Sequence, residues 1–380
     1  MSEIADVLTA IESLRERGER MALATIVAVR GSTYRRPGAR LLVPESGDLI
    51  GNISGGCLEG DVADVANVVM VDGQPRLVNF DLTADDEAVW GWGLGCNGAI
   101  DVFVEPADRA AEIAGALRMA LEEQRPIAAV TVLDGDVPGV DPGARLVVKP
   151  DGSTEGGTGD GGLDGAARGA AVELLDEGRS EIRTLLGSSG EARAFVEVLE
   201  PPLRLVVCGA GHDAVPVVHA AAQLGWRVIV VDEREAFLTA DRFPEAAELL
   251  RVERPELAAA TAGVDHRTTV MVMSHNYLRD KEYLRGFLGS GVPYLGMLGP
   301  RARTERLLEE LRGEGVEPTA EDLDAIHGPA GLDVGSDSPE EIAAAIVAEI
   351  LSVRRRRPAG FLRERQGPIH ERPEPATRGA

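Results

Sequence analysis

LRLVVCGAGHDAVPVVHAAAQLGWRVIVVDER, residues 203–234, runs from an apolar stretch through a glycine turn and a helical pattern into a second apolar stretch. That alternation predicts a parallel βαβ unit, because two parallel strands need a crossover to join them. Gly209, Gly211 and Ala214 fit the spacing G-x-G-x-x-A, with His212 inside the turn and Asp232 at the end of the second strand. In such a unit the glycines let the backbone turn tightly and approach a pyrophosphate, and the acid hydrogen-bonds a ribose 2′-OH. The anion rests on amides at the start of the helix. A carboxylate at the ribose favours NAD or another adenine nucleotide over NADP, although Arg234 stands beside it to offset the charge. Pro216 cannot donate a helical hydrogen bond, so the helix has to begin near Asp213.

Downstream, TTVMVMS (268–274) and VPYLGMLG (292–299) are further apolar strands, each followed by a helical stretch. Such alternation predicts a doubly wound sheet covered on both faces. His275 falls at the carboxyl end of the first of these strands, where open α/β sheets bind ligands, and Gly299 and Arg301 fall at the next strand-to-helix turn. The alternative for His275 is a hydrogen-bonded loop residue, and for Arg301 a solvated helix start. The last helical pattern opens at Ser338 and Pro339 and ends in arginines, matching the helix dipole.

Upstream of Pro201 and Pro202 the pattern changes to short strands, turns and helices, which predicts a mixed α+β domain over 1–200 ahead of a Rossmann-like domain over 201–357. The glycine-rich stretch near 151–167 is too poor in apolar residues to order itself and is expected to be a mobile loop. The tail 358–380 is basic and rich in Pro and Gly, and is expected to be disordered.

Two glycine turns in this first domain carry cysteines: GNISGGCLEGDV (51–62) holds Gly55, Gly56 and Cys57, and WGWGLGCNG (90–98) holds Gly95 and Cys96. Glycines bring amides close to oxyanions, and a thiol beside a helix start is poised as a thiolate. The opposing reading is a pair of inert buried thiols. Arg35 and Arg36 flank a rigid Pro-Gly turn that reads either as an anion site or as an exposed basic hairpin. No C-x-x-C pair or H-E-x-x-H exists, so a tetrahedral zinc site has no local support.

The 380 residues, 44% hydrophobic with 45 glycines, suit two globular domains. Net charge is −24, which repels a phosphate backbone and argues against nucleic acid. No apolar run is long enough to span a membrane, the N-terminus is not patterned as an export signal, and three scattered cysteines fit a reducing compartment. A cytoplasmic location is expected, with a homodimer as the default assembly.

Seven blocks in order resemble the XdhC/CoxI family of xanthine dehydrogenase accessory proteins: TIVAVRGSTYRRPGARLLV, GNISGGCLEG, GLGCNGAIDVFVEP, VVCGAGHDAVPVV, VMSHNYLRDKEYL, YLGMLGPRARTERLL and IHGPAGLDVGSDSPEEIAAAIVAEILSVRR. The resemblance implies an N-terminal XdhC-type domain and a C-terminal Rossmann domain. It also implies a chaperone that binds the molybdenum cofactor (molybdopterin), helps a cysteine desulfurase add its terminal sulfur, and delivers it to a molybdenum hydroxylase client. By position it makes Cys57 and Cys96 holders of molybdenum or its sulfido ligand. Two other readings stand beside it: an NAD(P)-dependent oxidoreductase using His275 or His212, and a nucleotide-sensing regulator. Pro216, Asn97 and the basic tail depart from the pattern usual among relatives.

Overall fold

The computed structural model describes residues 3–81 and 97–366. The chain divides into two compact units, Ser2–Pro201 and Pro202–Ala380.

The first unit is built twice. Its opening copy runs α1 (Glu3–Glu16), β1 (Met21–Ser32), β2 (Arg40–Pro44), β3 (Ile50–Gly51), α2 (Glu59–Asp72), β4 (Arg76–Asp81) and β5 (Asn97–Pro106). The second repeats that order as α3 (Ala107–Glu123), β6 (Ile127–Gly135), β7 (Arg145–Val148), β8 (Thr154–Gly157), α4 (Gly161–Glu177), β9 (Glu181–Leu186) and β10 (Glu191–Leu199). Each copy makes one five-stranded antiparallel sheet, β3-β2-β1-β5-β4 and β8-β7-β6-β10-β9.

The registers also match. Thr25 stands between Arg40 and Phe103 as Thr131 stands between Arg145 and Phe195. Both first strands bulge at the same place, and the bulged residues Val27 and Leu133 meet Phe103 and Phe195 in one small core. A bulge re-aims a side chain, here toward the other copy.

Two buried ion pairs cross between the copies. Arg40 of the first meets Glu197 of the second at 2.5 Å, and Arg145 of the second meets Glu105 of the first at 2.9 Å. The Arg145 fork is completed by the Thr131 hydroxyl at 3.0 Å and the Arg109 carbonyl at 2.9 Å. Arg40 gives Nη1 to the Gly38 carbonyl at 2.8 Å, while its Nε lacks a partner among the described residues.

The stretch expected as a loop near 151–167 is ordered instead. Residues 154–157 pair with β7, and Asp160 caps α4 by accepting the Leu163 amide at 2.8 Å. Leu163, Ala167, Ala171 and Leu174 then bury one face against the sheet. Composition misled because small residues suffice where a helix lies close on a sheet. Of the basic tail, residues 358–366 are described and contain one short turn of helix, and the rest falls outside the described residues.

The second unit holds β11 (Arg204–Cys208), α5 (Ala214–Gln223), β12 (Arg227–Asp232), β13 (Glu248–Arg251), α6 (Ala258–Ala262), β14 (Thr268–Val272), α7 (Tyr277–Phe287), β15 (Tyr294–Met297), α8 (Arg301–Gly313), α9 (Ala320–Ala325), β16 (Ile326–His327) and α10 (Pro339–Arg354). All six strands are parallel in the order β13-β12-β11-β14-β15-β16, the doubly wound arrangement expected. α5 and α10 cover one face, and α6, α7 and α8 the other. Pro216 sits in the first turn of α5, where its missing N–H has no acceptor to lose. No helix among the described residues is long and apolar enough to cross a membrane.

Candidate functional site

The Cys57 loop joins β3 to α2. Gly55 and Gly56 adopt φ of 83° and 111°, a region costly for residues with a Cβ, and the chain there folds back over the start of α2. The amides expected to meet an oxyanion are turned inward. Glu59 accepts from Ser54 N at 2.9 Å and Gly56 N at 3.0 Å, and also takes the Ser54 hydroxyl. Ser54 Oγ accepts from Cys57 N at 3.1 Å and Leu58 N at 2.9 Å, and Asn52 Oδ1 takes Gly55 N at 3.0 Å. An internal carboxylate thus stands in the place of the expected ligand.

Cys57 is partly buried, packed at the edge of the core of this copy, and its thiol points to the Ser54 carbonyl at 3.8 Å. Arg35 reaches the same loop, giving Nε to the Asn52 carbonyl at 3.1 Å, and Tyr34 lies over Gly55. Arg36 is exposed at the tip of the turn, its carbonyl taking the Ala39 amide. Gly95 and Cys96 lie outside the described residues.

Burial alone would raise the Glu59 carboxyl, yet the Ser54 hydroxyl and the surrounding amides hold it below its ordinary value. A depressed carboxyl stabilises the fold above the ordinary carboxylate range and loses that contribution as pH falls through the folded-state value. Glu59→Ala should therefore lower unfolding stability by about 1–3 kcal/mol at neutral pH. Denaturant titrations should show the gap from wild type shrinking in acid.

The second copy supplies an internal comparison. There Thr158 and Asp164 reproduce the contacts of Ser54 and Glu59, with Asp164 accepting the Thr158 amide and hydroxyl at 2.7 Å each. Leu163 matches Leu58, so the position of Cys57 is taken by Gly162. A methyl on Gly162 would meet the Ser188 amide at 2.7 Å. The loop architecture forms without a thiol.

In the second unit, Gly209 takes φ of 117° and its N–H meets the Val231 carbonyl at 2.8 Å. Asp232 is buried and already saturated. It accepts from Ala210 N at 2.7 Å, Arg234 N at 2.9 Å, Arg234 Nε at 3.0 Å and Arg234 Nη2 at 2.8 Å. Burial pushes its pKa up, but Arg234 and these amides outweigh it and the carboxyl stays below the usual range. Arg234 thus goes beyond offsetting the charge; it occupies the acid.

His275, in a left-handed conformation at φ 58°, places Nε2 3.0 Å from Asp213 at the head of α5, with its ring beside Gly211. Ala214 is buried beneath and His212 is exposed. Gly299 has φ of 115° and faces Arg303, whereas Arg301 turns outward to Glu305 and does not join the site. Arg303 instead ties the turn to buried Asp280 at 2.6 Å. A cavity of about 170 Å³ opens between the ends of β12 and β14, lined among others by Arg234, Asn276, Arg279 and Tyr283. Arg279 and Tyr283 were hidden in the helical pattern of α7, where an aromatic at core spacing reads as packing.

A duplicated sheet unit bearing a partly buried cysteine on a glycine turn, followed by a six-stranded parallel sheet, defines a two-part α/β protein of the Rossmann class. The XdhC Rossmann domain model matches residues 205–350, and the XdhC and CoxI family model matches residues 14–81 and 120–185, equivalent stretches of the two copies. The chain belongs to the XdhC/CoxI family. It is 32% identical over 348 residues to a Bacillus subtilis protein named as a probable xanthine dehydrogenase subunit, with 92% of this chain and 97% of that one covered. The molybdenum cofactor insertion chaperone PaoD of Escherichia coli is 25% identical, over 91% of this chain and 86% of its own. A crystal structure described as a xanthine dehydrogenase from Bacillus halodurans superposes with a TM-score of 0.74 at 30% identity, covering 94% of this chain and 97% of that one.

Proposed function

We propose that the chain is a molybdenum cofactor chaperone. It takes molybdopterin as cargo, supports its sulfuration with a cysteine desulfurase, and passes it to a molybdenum hydroxylase of the xanthine dehydrogenase or carbon monoxide dehydrogenase type. Family membership supports the class, and the similarity to a cofactor insertion chaperone supports the cargo. Cys57 carries the assignment of the site: it is partly buried, on a loop whose twin folds with glycine in its place, so loop folding does not require the sulfur. A thiolate is a soft ligand suited to a metal or to a sulfido group on it. Arg35, fixed on the same loop, supplies positive charge toward an anionic cargo.

The test is to purify the full chain from cells that make the cofactor and to measure bound molybdenum and pterin fluorescence. Wild type should carry both, and Cys57→Ala should lose at least about tenfold in molybdenum, the scale of losing a strong ligand contact, with an unchanged melting curve. Wild-type protein free of both would overturn the proposal.

A further inference from the structure

The two copies of the first unit fold alike at the turn after their first strand and differ there in chemistry. In the first copy Ala39 N bonds the Arg36 carbonyl at 3.1 Å and Gly38 N the Ile26 carbonyl at 2.8 Å. In the second, Ala144 N bonds the Asp141 carbonyl at 3.1 Å and Gly143 N the Val132 carbonyl at 2.8 Å. Counting back from these matched bonds sets Tyr34, Arg35 and Arg36 opposite Gly139, Val140 and Asp141. The facing loops agree with that register. Gly55 follows Ser54 as Gly159 follows Thr158, at φ of 83° and 97°. A methyl on Gly55 would stand 3.4 Å from the Tyr34 ring, and one on Gly159 would stand 3.2 Å from the Gly139 carbonyl oxygen.

The second turn thus closes onto its neighbouring loop without an aromatic. Tyr34 is nevertheless 69% exposed, so its ring adds little packing and presents most of its surface to water. A ring held against backbone on one side and open on the other is a stacking surface for a planar heterocycle. Its position is fixed in advance: Arg35 Nε donates to the Asn52 carbonyl at 3.1 Å, and Asn52 Oδ1 takes Gly55 N at 3.0 Å. A ring already in place loses little freedom when a ligand settles on it. The second copy also has an acid, Asp141, for Arg36 and Gly162 for Cys57, so aromatic, base and thiol are missing from it together. A shared ligand accounts for the three differing together; loop packing, which both copies achieve, does not.

We propose that Tyr34 is the platform on which the flat pterin ring of the cargo stacks, in the first copy only, with the charge of the Arg35–Arg36 turn toward its anionic groups. The assignment rests on the reading of the Cys57 loop as the cargo site, but stacking needs no metal, so the two can fail separately.

The test is a titration of the full chain with pterin-6-carboxylate, a metal-free pterin, read by quenching of its fluorescence. Wild type should bind it saturably. Tyr34→Ala should weaken binding by at least about fivefold, the lower end for losing an aromatic under a stacked base. Tyr34→Phe and Tyr34→Trp should stay within about threefold of wild type, because each keeps a ring face. Cys57→Ala should bind the probe as wild type does, and the melting curves of the Tyr34 variants should overlay that of wild type. The proposal is overturned if wild type leaves the emission unchanged, or if Tyr34→Ala binds as tightly as wild type. Tyr34-dependent binding by a chain that purifies without molybdenum would uphold the stacking and overturn the metal cargo. Molybdenum carried by wild type, with the pterin bound equally by Tyr34→Ala, would do the reverse.

Discussion

Glu105→Ala should lower the unfolding free energy by about 3 kcal/mol, because it leaves the Arg145 guanidinium, 4% exposed, with only the longer contact of 3.6 Å to the solvent-exposed Glu112 carboxylate. The loss is not that of one contact but of leaving a charge in a place water cannot reach. Glu105→Leu combined with Arg145→Met should recover most of it, since a well-packed apolar pair of similar volume often matches a buried ion pair. Urea titrations of the single and double variants separate these outcomes. A single variant within about 1 kcal/mol of wild type, the ordinary range for an exposed pair, would show that the pair is solvated in solution.

Gly209→Ala should be comparably damaging. At φ 117° an alanine is strained, and its methyl would lie 2.6 Å from the Met273 carbonyl oxygen and 2.7 Å from the Ser274 Cα, both backbone atoms that cannot rotate away. Backbone strain and overpacking together cost about 3–5 kcal/mol, lowering the melting temperature of this unit by roughly 10 °C. Gly299→Ala is the matched comparison. It has a similar φ of 115°, but its nearest contact is the Arg303 side chain at 2.9 Å, which can yield, so a smaller loss is expected.

The Rossmann half was open to sequence reading because each of its elements carries its own signal: apolar strands, a glycine turn, a capped last helix. Ser338 caps α10 with Glu341 in a reciprocal box, as its spacing with Pro339 and the first-turn acids suggested. How the side chains around the glycine turn are engaged was less legible. Arg234 beside Asp232 could be read as offsetting its charge, but Asp213 and His275 carry no mark in sequence of whether they face a ligand or one another; distance along the chain says nothing of a His275–Asp213 bond. The same limit hid the fate of the loop amides near Cys57, since Glu59 reads as an ordinary first-turn acid. The duplication leaves only a faint trace in sequence. PGARLLV at 37–43 returns as PGARLVV at 142–148, and CLEGD at 57–61 returns as GLDGA at 162–166. So few positions agree because a sheet face asks only for apolar side chains of fitting size, while the arginine that crosses to the other copy has no substitute.

The crossed arginines bear on how such a chain can change over time. Once each half keeps its counter-ion in the other, neither can stand alone without giving up the partner of its arginine and baring the shared phenylalanines to water.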